Sequence, residues 1–260
     1  MSTSTVSYAA HEARQAFRKV HLWTLLGLFV AGLFSSLVFP LLPNGILQFV
    51  RKAFVIRTWT DFIVLNDYLA IYSLVFVVGL FDMLRVFVIP AEERYLDVIL
   101  SKPLTRTQYL MSKALPTFAV LAGIGLVTAL LYLAKIALLN GTAGFSMLAW
   151  MSGSLISISL ALLLLSFVNL LFLFFKDVYN AVLVGLGVWV TTVIANSFFI
   201  YRPDIFAGKE LAKQFVVFPT NLVWNAGHLH WVALILVPVS LVGAWGLLWL
   251  TGWILQRRDV

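Results

Sequence analysis

Residues 147–175 read MLAWMSGSLISISLALLLLSFVNLLFLFF and contain no Asp, Glu, Lys or Arg. A helix that crosses the hydrocarbon core of a bilayer needs about 20 mostly apolar residues. At 1.5 Å per residue this run would be roughly 44 Å long as a helix, so we expect it to tilt or to project beyond the bilayer. The stretch therefore predicts a membrane-spanning helix.

The composition of the whole chain agrees with that prediction. Hydrophobic residues make up 62% of the 260 residues and charged residues 11%, whereas soluble proteins carry roughly 25% charged residues. The mean hydropathy is +0.98. The long unbroken apolar runs are unlike the alternating segments of a transmembrane β-barrel. The sequence therefore predicts an all-α integral membrane protein.

Charge and cysteine content exclude several function classes. The chain has no cysteine, which excludes disulfides, thiol catalysis, Cys-ligated zinc and iron–sulfur clusters. Its formal net charge is +7, but basic residues in membrane proteins serve to set topology. We therefore expect the lipid bilayer as a partner and no nucleic acid.

Six apolar runs are long enough to span a bilayer, and together they predict a single transmembrane domain over residues 1–260. The predicted spans are Leu22–Leu42, Tyr68–Pro90, Ala114–Leu139, Met147–Phe175, Ala181–Tyr201 and Trp231–Leu255. An even number of spans places both termini on one side of the membrane. The segments on that side are richer in Lys and Arg, which predicts an inner (plasma) membrane location with both termini in the cytoplasm.

Two segments outside the spans are also apolar in part. Within residues 1–21, the spacing of apolar and basic residues over His11–Val20 favours a short helix in the cytoplasmic interface. The alternative is a simple positively charged flank that sets topology. The segment Arg202–His230 on the outer side could dip into the membrane or rest at its surface, and both possibilities stay open.

The segment between spans 2 and 3, residues 91–113, carries the most local information. Pro90, Glu92 and Glu93 favour the start of a helix, and Pro103 stops it. Thr105 and Gln108 then form a predicted capping box for the helix that leads into span 3. A helix, a sharp break and a second capped helix predict a compact cytoplasmic feature suited to binding a partner.

This segment resembles the Glu…(Leu-Leu-x-x-Pro)…Arg-x-x-x-Leu…Gly-Lys signature of type-2 ABC exporter permeases. The matching residues are Glu92, Leu100-Ser-Lys-Pro103, Arg106, Gln108 and Lys113. The resemblance extends to the plan of the chain, with its basic amphipathic helix, six spans and apolar outer segment. Arg94 and Ser112 stand where many members of the family have Gly.

The resemblance implies that residues 91–113 form a coupling helix seated on a separate nucleotide-binding subunit. It also implies two copies of that ATPase subunit, which would bind ATP and Mg²⁺, and a second permease copy, most simply in a homodimer. The residues carried over to the coupling role are Glu92, Glu93, Pro103 and Arg106. The alternative interpretation is that these residues only cap helices or set the membrane topology through their charge.

Charged residues inside the spans are a second group of candidates. Asp82 and Arg85 lie three residues apart on a shared helix face, which predicts an intramembrane polar pair. We interpret it as a structural ion pair, with substrate contact as the alternative. Lys135 lies near the outer end of span 3, where we expect its side chain to extend to the membrane surface.

Three polar or small residues predict contacts between helices. Asn169 is expected to form hydrogen bonds between spans. Gly32 and Ser36 are four residues apart in span 1 and indicate a close helix contact.

No pattern in the sequence predicts catalysis or a metal site. His11-Glu12 is not followed by the second His of a zinc-protease helix, and there is no phosphate-binding loop for ATP hydrolysis. We therefore expect a transport subunit that is not itself an enzyme. The alternatives are a secondary transporter or channel, and an ABC-type membrane subunit that acts mechanically without moving a cargo of its own.

Overall fold

The structure is a computed structural model that describes residues 17, 19–46, 48, 59–92, 105–139, 146–175, 177–201, 208 and 229–257. Regular structure in these residues is helical throughout, as predicted. The long helices are α1 (Lys19–Val38), α2 (Trp59–Met83), α3 (Arg106–Leu139), α4 (Met147–Leu171), α5 (Val178–Tyr201) and α6 (Leu229–Arg257). Single 3₁₀ turns follow α1 at Phe39–Leu41 and α4 at Phe172–Phe174.

Five of these helices are long and apolar enough to cross a membrane. They cover Val20–Leu41, Ile63–Val88, Arg106–Leu139, Met147–Phe174 and Trp231–Arg257. The predicted fifth span falls in α5, whose apolar stretch within the described side chains is Val178–Val193. The chain therefore has the architecture of a multi-pass membrane protein with at least five candidate spans.

The end of α2 departs from regular helix geometry. A π-helical turn, Leu84–Val88, follows α2 and leads into one further helical turn, Ile89–Glu92. Pro90 has no N–H group with which to bond the carbonyl oxygen of Val86, four residues earlier. The hydroxyl group of Tyr109 in α3 donates to that oxygen at 3.2 Å. The distorted end of α2 is thereby attached to the beginning of α3.

Contacts between helices define the two ends of the bundle. Arg106 at the start of α3 contacts Leu255 near the end of α6. Glu92, just beyond the π-turn, contacts Val178 at the start of α5. These four residues mark what we call the Arg106 end of the bundle. His21 in the first turn of α1 reaches Asp82 in α2, so the start of α1 and the end of α6 lie toward the same end.

The opposite end is held together by aromatic side chains. The indole Nε1 of Trp150, in the first turn of α4, donates to the carbonyl oxygen of Ala129 in α3 at 3.1 Å. Tyr68 in α2 donates to the carbonyl oxygen of Ala149 at 3.2 Å, and its ring stacks on that of Trp150 with centroids 4.8 Å apart. The polar groups in these contacts have hydrogen-bond partners, which an apolar environment requires.

Several sequence predictions lie outside the described residues. They are the interfacial helix before residue 17, the segment 93–104 with Glu93 and Pro103, and most of the outer segment 202–230. These remain predictions.

Candidate coupling site

Arg106 holds the C-terminal end of α6. Its guanidinium Nη1 donates to the carbonyl oxygen of Leu255 at 2.9 Å. Leu255 is within the last turn of α6, where carbonyl groups lack partners in their own helix. A cation there also complements the negative end of the helix dipole. The geometry therefore makes Arg106 a link between the start of α3 and the end of α6.

Glu92 contacts the N-terminal end of a helix, whereas Arg106 contacts a C-terminal end. Its carboxylate Oε2 accepts a hydrogen bond from the backbone N–H of Val178 at 3.2 Å. The first N–H groups of α5 lack partners in their own helix, and the positive end of its dipole attracts a carboxylate. Glu92 thus connects the end of α2 to the start of α5.

A second carboxylate caps the same helix. Asp177 Oδ1 accepts from the backbone N–H of Asn180 at 2.7 Å, and its Oδ2 accepts from the side-chain amide of Asn180 at 2.7 Å. These hydrogen bonds, the backbone one first, lower the pKa of the Asp177 carboxyl below its ordinary value of 3.8. The start of α5 therefore receives one acid from its own N-cap and one from the helical turn Ile89–Glu92 that follows the π-turn.

The predicted capping box at the start of α3 is confirmed. The backbone N–H of Gln108 donates to Thr105 Oγ1 at 3.2 Å, and the backbone N–H of Thr105 donates to Gln108 Oε1 at 3.0 Å. Both N–H groups would otherwise lack partners. The box fixes where α3 begins, and so places Arg106 in its first turn.

A close approach of α3 and α6 reinforces the Arg106 contact. A Cβ added at Gly252 would lie 2.8 Å from Thr107 Cγ2 and 3.0 Å from its Cα. Only glycine at position 252 allows the two backbones to come this near. Of the four motif residues carried over for coupling, Glu92 and Arg106 lie among the described residues, and each binds the end of another helix in the same chain.

The predicted pairing of Asp82 with Arg85 is wrong in the structure. Asp82 instead lies 2.8 Å from Nε2 of His21, whose side chain is 1% exposed. The ring of His21 also stacks against Phe17, with centroids 5.8 Å apart. The contact spans 61 positions in the sequence, so helix periodicity could not predict it. The Asp82–His21 pair joins α2 to α1.

The expected position of Lys135 is also wrong. Its side chain is fully buried, and Nζ lies 2.7 Å from both carboxylate oxygens of Asp67, which is equally buried. Nζ also donates to the carbonyl oxygen of Gly32 at 3.3 Å. The ammonium group therefore points into the bundle and joins α3 to α2 and α1.

Sequence reasoning missed Asp67 because it lies one residue before the predicted span 2. The helix begins at Trp59, eight residues before Asp67, and so carries this acid into the bundle. The available signal was Lys135, because its own predicted span contains no acid and a buried cation requires an anion nearby.

Gly32 confirms the expected close helix contact of α1. A Cβ there would lie 2.7 Å from Cε1 of Tyr132, and the hydroxyl of Tyr132 donates to the carbonyl oxygen of Leu28 at 2.9 Å. Asn169, by contrast, is completely buried, and neither of its side-chain polar atoms has a hydrogen-bond partner within the described part of the chain. Its predicted hydrogen bond between helices is not formed there.

Among the described residues, no group of three or more His, Asp or Glu side chains could hold a metal ion. Comparisons of the chain with protein-family models, curated proteins and solved structures find no match.

Proposed function

We propose that the chain is the membrane subunit of an ATP-driven exporter, in which a separate nucleotide-binding subunit docks on residues 91–113. Two permease copies and two ATPase subunits would form the working assembly, with ATP and Mg²⁺ bound by the ATPases. The resemblance of residues 92–113 to the signature of type-2 ABC exporter permeases supports the choice of partner.

One observation carries the proposal. The described motif residues on either side of segment 93–104 each bind the end of a different helix: Glu92 the start of α5, and Arg106 the end of α6. A partner that displaced this segment would therefore act on four helices, since Glu92 follows α2 and Arg106 begins α3. A loop that only connected two spans would need neither contact.

The two contacts differ in strength. A hydrogen bond from a charged donor contributes about 1.5–3 kcal/mol, which applies to the partly buried Arg106. Glu92 is exposed, and a charge at an exposed helix end contributes about 0.3–1 kcal/mol. We therefore expect Arg106 to be the stronger connection, so that movement of α6 follows movement of α3 most closely.

The proposed cycle is a shift between two packings of the helices. Closure of the ATPases on ATP would move segment 93–104, and the Glu92 and Arg106 contacts would pass that movement to α5 and α6. Packed helix interfaces respond to such small displacements by switching between discrete arrangements. ATP would thus bias the equilibrium between inward-open and outward-open states from a distant site.

The proposal includes six crossings, with α5 as the fifth. Its 24 residues correspond to about 36 Å, enough for a hydrocarbon core of about 30 Å. From its contact with Glu92, α5 runs antiparallel to α2: Thr192 lies 3.2 Å from the hydroxyl of Tyr72, and Trp189 Nε1 donates to Ser73 Oγ at 3.3 Å. These contacts support a helix that traverses the same thickness as α2.

The proposed orientation places the Arg106 end in the cytoplasm, where ATP is available. The distribution of Lys and Arg supports this orientation. The start of α1 and the end of α6 lie toward that end, which fits two cytoplasmic termini.

Purification of the chain from its own membranes, in lipid particles and without added partners, tests the proposal. We expect a stoichiometric ATPase with a phosphate-binding loop, identified by mass spectrometry, and ATP hydrolysis by the complex. A chain that purifies without any ATPase and transports cargo in its absence would contradict the proposal.

A second candidate function, ion-coupled secondary transport, is favoured by the buried Lys135–Asp67 pair. Ionisable residues inside a membrane bundle commonly mark ion pathways. Here, however, the ammonium group already contacts both carboxylate oxygens and a carbonyl oxygen, which favours a structural role. Cargo movement in proteoliposomes driven by an imposed ion gradient alone, without ATP, would support this second candidate over the first.

A further inference from the structure

Arg85 is an exposed cation within an apolar membrane-spanning helix. It lies in the π-helical turn Leu84–Val88, inside the candidate span Ile63–Val88, and its side chain is exposed. An uncompensated charge in a span is costly unless it reaches water or a polar headgroup. The carboxylate predicted to neutralise it, that of Asp82, is bound to His21 instead. Arg85 therefore depends on water or a lipid headgroup, because the described part of the chain supplies no anion for it.

The surface beside Arg85 is apolar. Phe81 precedes Arg85 by about one helical turn, and 47% of its surface is exposed. Residues four apart in a helix lie on one face, so the exposed guanidinium and the exposed phenyl ring are neighbours. A ligand that covered both would need a negative group joined to a hydrocarbon chain.

The contacts of Asp82 and Glu92, which lie on either side of Arg85 in the sequence, indicate how deep Arg85 lies in the membrane. Asp82 contacts His21, and Trp23, two residues further along α1, is 71% exposed. Glu92 contacts Val178, and the next residue, Tyr179, is 72% exposed. Exposed Trp and Tyr side chains are typical of the headgroup boundary. Arg85 lies between these two levels, where its long side chain can reach a phosphate.

We propose that Arg85 and Phe81 form a binding site for an anionic phospholipid, with the guanidinium on the lipid phosphate and an acyl chain along Phe81. A guanidinium can donate two parallel hydrogen bonds to a phosphate group. The site lies in the π-turn that leads to Glu92, so a bound lipid would contact the segment that joins α2 to the coupling site. This inference does not depend on the identity of the transported cargo or on the ATPase.

The test compares lipid retention by the full-length chain in nanodiscs that contain phosphatidylglycerol and phosphatidylcholine with identical acyl chains. Native mass spectrometry gives the ratio of the two lipids that remain bound. We expect selectivity for phosphatidylglycerol in the unmodified chain and a loss of about fivefold or more in Arg85→Gln. Arg85→Lys, which keeps the charge but not the forked geometry, should fall between the two.

Arg257→Gln is the matched control. Arg257 is a second exposed cation toward the same end of the bundle, but its guanidinium carbon lies 3.8 Å from the ring centroid of Trp253. We expect this variant to keep its lipid selectivity within about twofold. Equal losses in the Arg85→Gln and Arg257→Gln variants would indicate diffuse charge attraction and overturn the site.

Three further results would overturn the proposal. They are unchanged selectivity in Arg85→Gln, displacement of the lipid by soluble glycerol phosphate, and loss of self-association in Arg85→Gln without any change in bound lipid. The second would identify a site for soluble phosphates, and the third would place an acid of a second copy opposite Arg85. If Arg85→Gln fails to fold, the Arg85→Lys variant tests the proposal instead. A ratio of bound lipids equal to that of the unmodified chain would overturn the site, and an intermediate ratio would support it.

Discussion

The guanidinium group of Arg106 donates to the carbonyl oxygen of Leu255 at 2.9 Å, across 149 positions of the sequence. The contact joins the first turn of α3 to the last turn of α6. On the other side of segment 93–104, Glu92 joins α2 to the start of α5. The segment that resembles a coupling helix is therefore flanked by two residues, and displacement of these residues would also displace α5 and α6.

We predict that Arg106→Glu uncouples ATP hydrolysis from transport. The new carboxylate would face the negative end of α6, and the charged hydrogen bond to Leu255 would be lost, which together favour separation of α6 from α3. Transport in proteoliposomes with the ATPase partner should fall about tenfold, while ATP hydrolysis stays within twofold of normal.

Arg106→Lys serves as the control for that prediction, because it keeps the charge and one donor. It should lose much less transport than Arg106→Glu. Glu92→Ala should also uncouple, though more weakly, and Glu92→Gln, which keeps an acceptor for the Val178 N–H, should lie closer to normal. Normal coupled export by both Arg106→Glu and Glu92→Ala would count against the role of the two contacts.

The Lys135–Asp67 pair gives a prediction about stability. Lys135→Met leaves the Asp67 carboxylate buried without its cation, and the loss of one partner of a buried pair costs about 3–5 kcal/mol. The midpoint of thermal unfolding in lipid nanodiscs should fall sharply. The double variant Lys135→Met with Asp67→Leu should recover most of that loss, because no charge then remains buried.

If the double variant loses as much stability as the two single variants together, the two side chains do not interact as they do in the structure. A double variant that folds stably but no longer transports with its ATPase would assign the pair a functional role as well.

Two glycines in α6 form a matched pair for the contact with α3. Gly252→Ala would place a Cβ 3.0 Å from the Cα of Thr107, so the helices must separate, at a cost of about 1–3 kcal/mol. Among the described residues, no atom lies within 4 Å of a Cβ added at Gly246, so Gly246→Ala should be neutral or stabilise the helix by up to about 1 kcal/mol. Thermal unfolding of the two variants side by side tests this difference. Equal midpoints would contradict the close approach of α3 and α6.

Asp177 gives a prediction about pH. Hydrogen bonds from Asn180 lower the pKa of its carboxyl in the folded chain below 3.8, so the unfolded chain binds the proton more readily. The stabilisation of the start of α5 should therefore be complete above about pH 5 and be lost as the pH falls through the lowered pKa. Hydrogen exchange of the Asn180 amide, which donates to Asp177, compared with the same amide in Asp177→Asn, measures it. Asn still accepts the capping hydrogen bond, so that variant should lack only the pH dependence.

The features that sequence predicted well are those fixed by local physics. Length and hydropathy predicted the helices because a span must be long and apolar, and the Thr105–Gln108 capping box depends on residues three positions apart. The partners of charged groups were predicted poorly. Asp82 binds His21 at a distance of 61 positions and Lys135 binds Asp67 at a distance of 68. Such pairs depend on how helices pack, which periodicity along one helix does not contain.

Glu92 and Arg106 show the same difference between what the sequence predicts and what only the packing of helices determines. A motif pointed to both residues, but their partners, Val178 and Leu255, carry no sequence signal because the contacts are to backbone atoms. Any residue type could supply that N–H or carbonyl group, except that proline lacks the N–H. Three-dimensional placement alone identifies which helix ends the motif reaches.

The proposed function depends on a nucleotide-binding subunit that docks on residues 91–113, and site-specific crosslinking tests this directly. Since the chain contains no cysteine, a single Ser101→Cys substitution carries a crosslinker at one known position, and Thr142→Cys, in the connection between α3 and α4, is the control. We predict that Ser101→Cys crosslinks to an ATPase subunit in native membranes and is inaccessible to impermeant thiol reagents from outside intact cells, while Thr142→Cys forms no such crosslink. Labelling of Ser101→Cys from outside, or the absence of an ATPase crosslink at that position, would contradict the account.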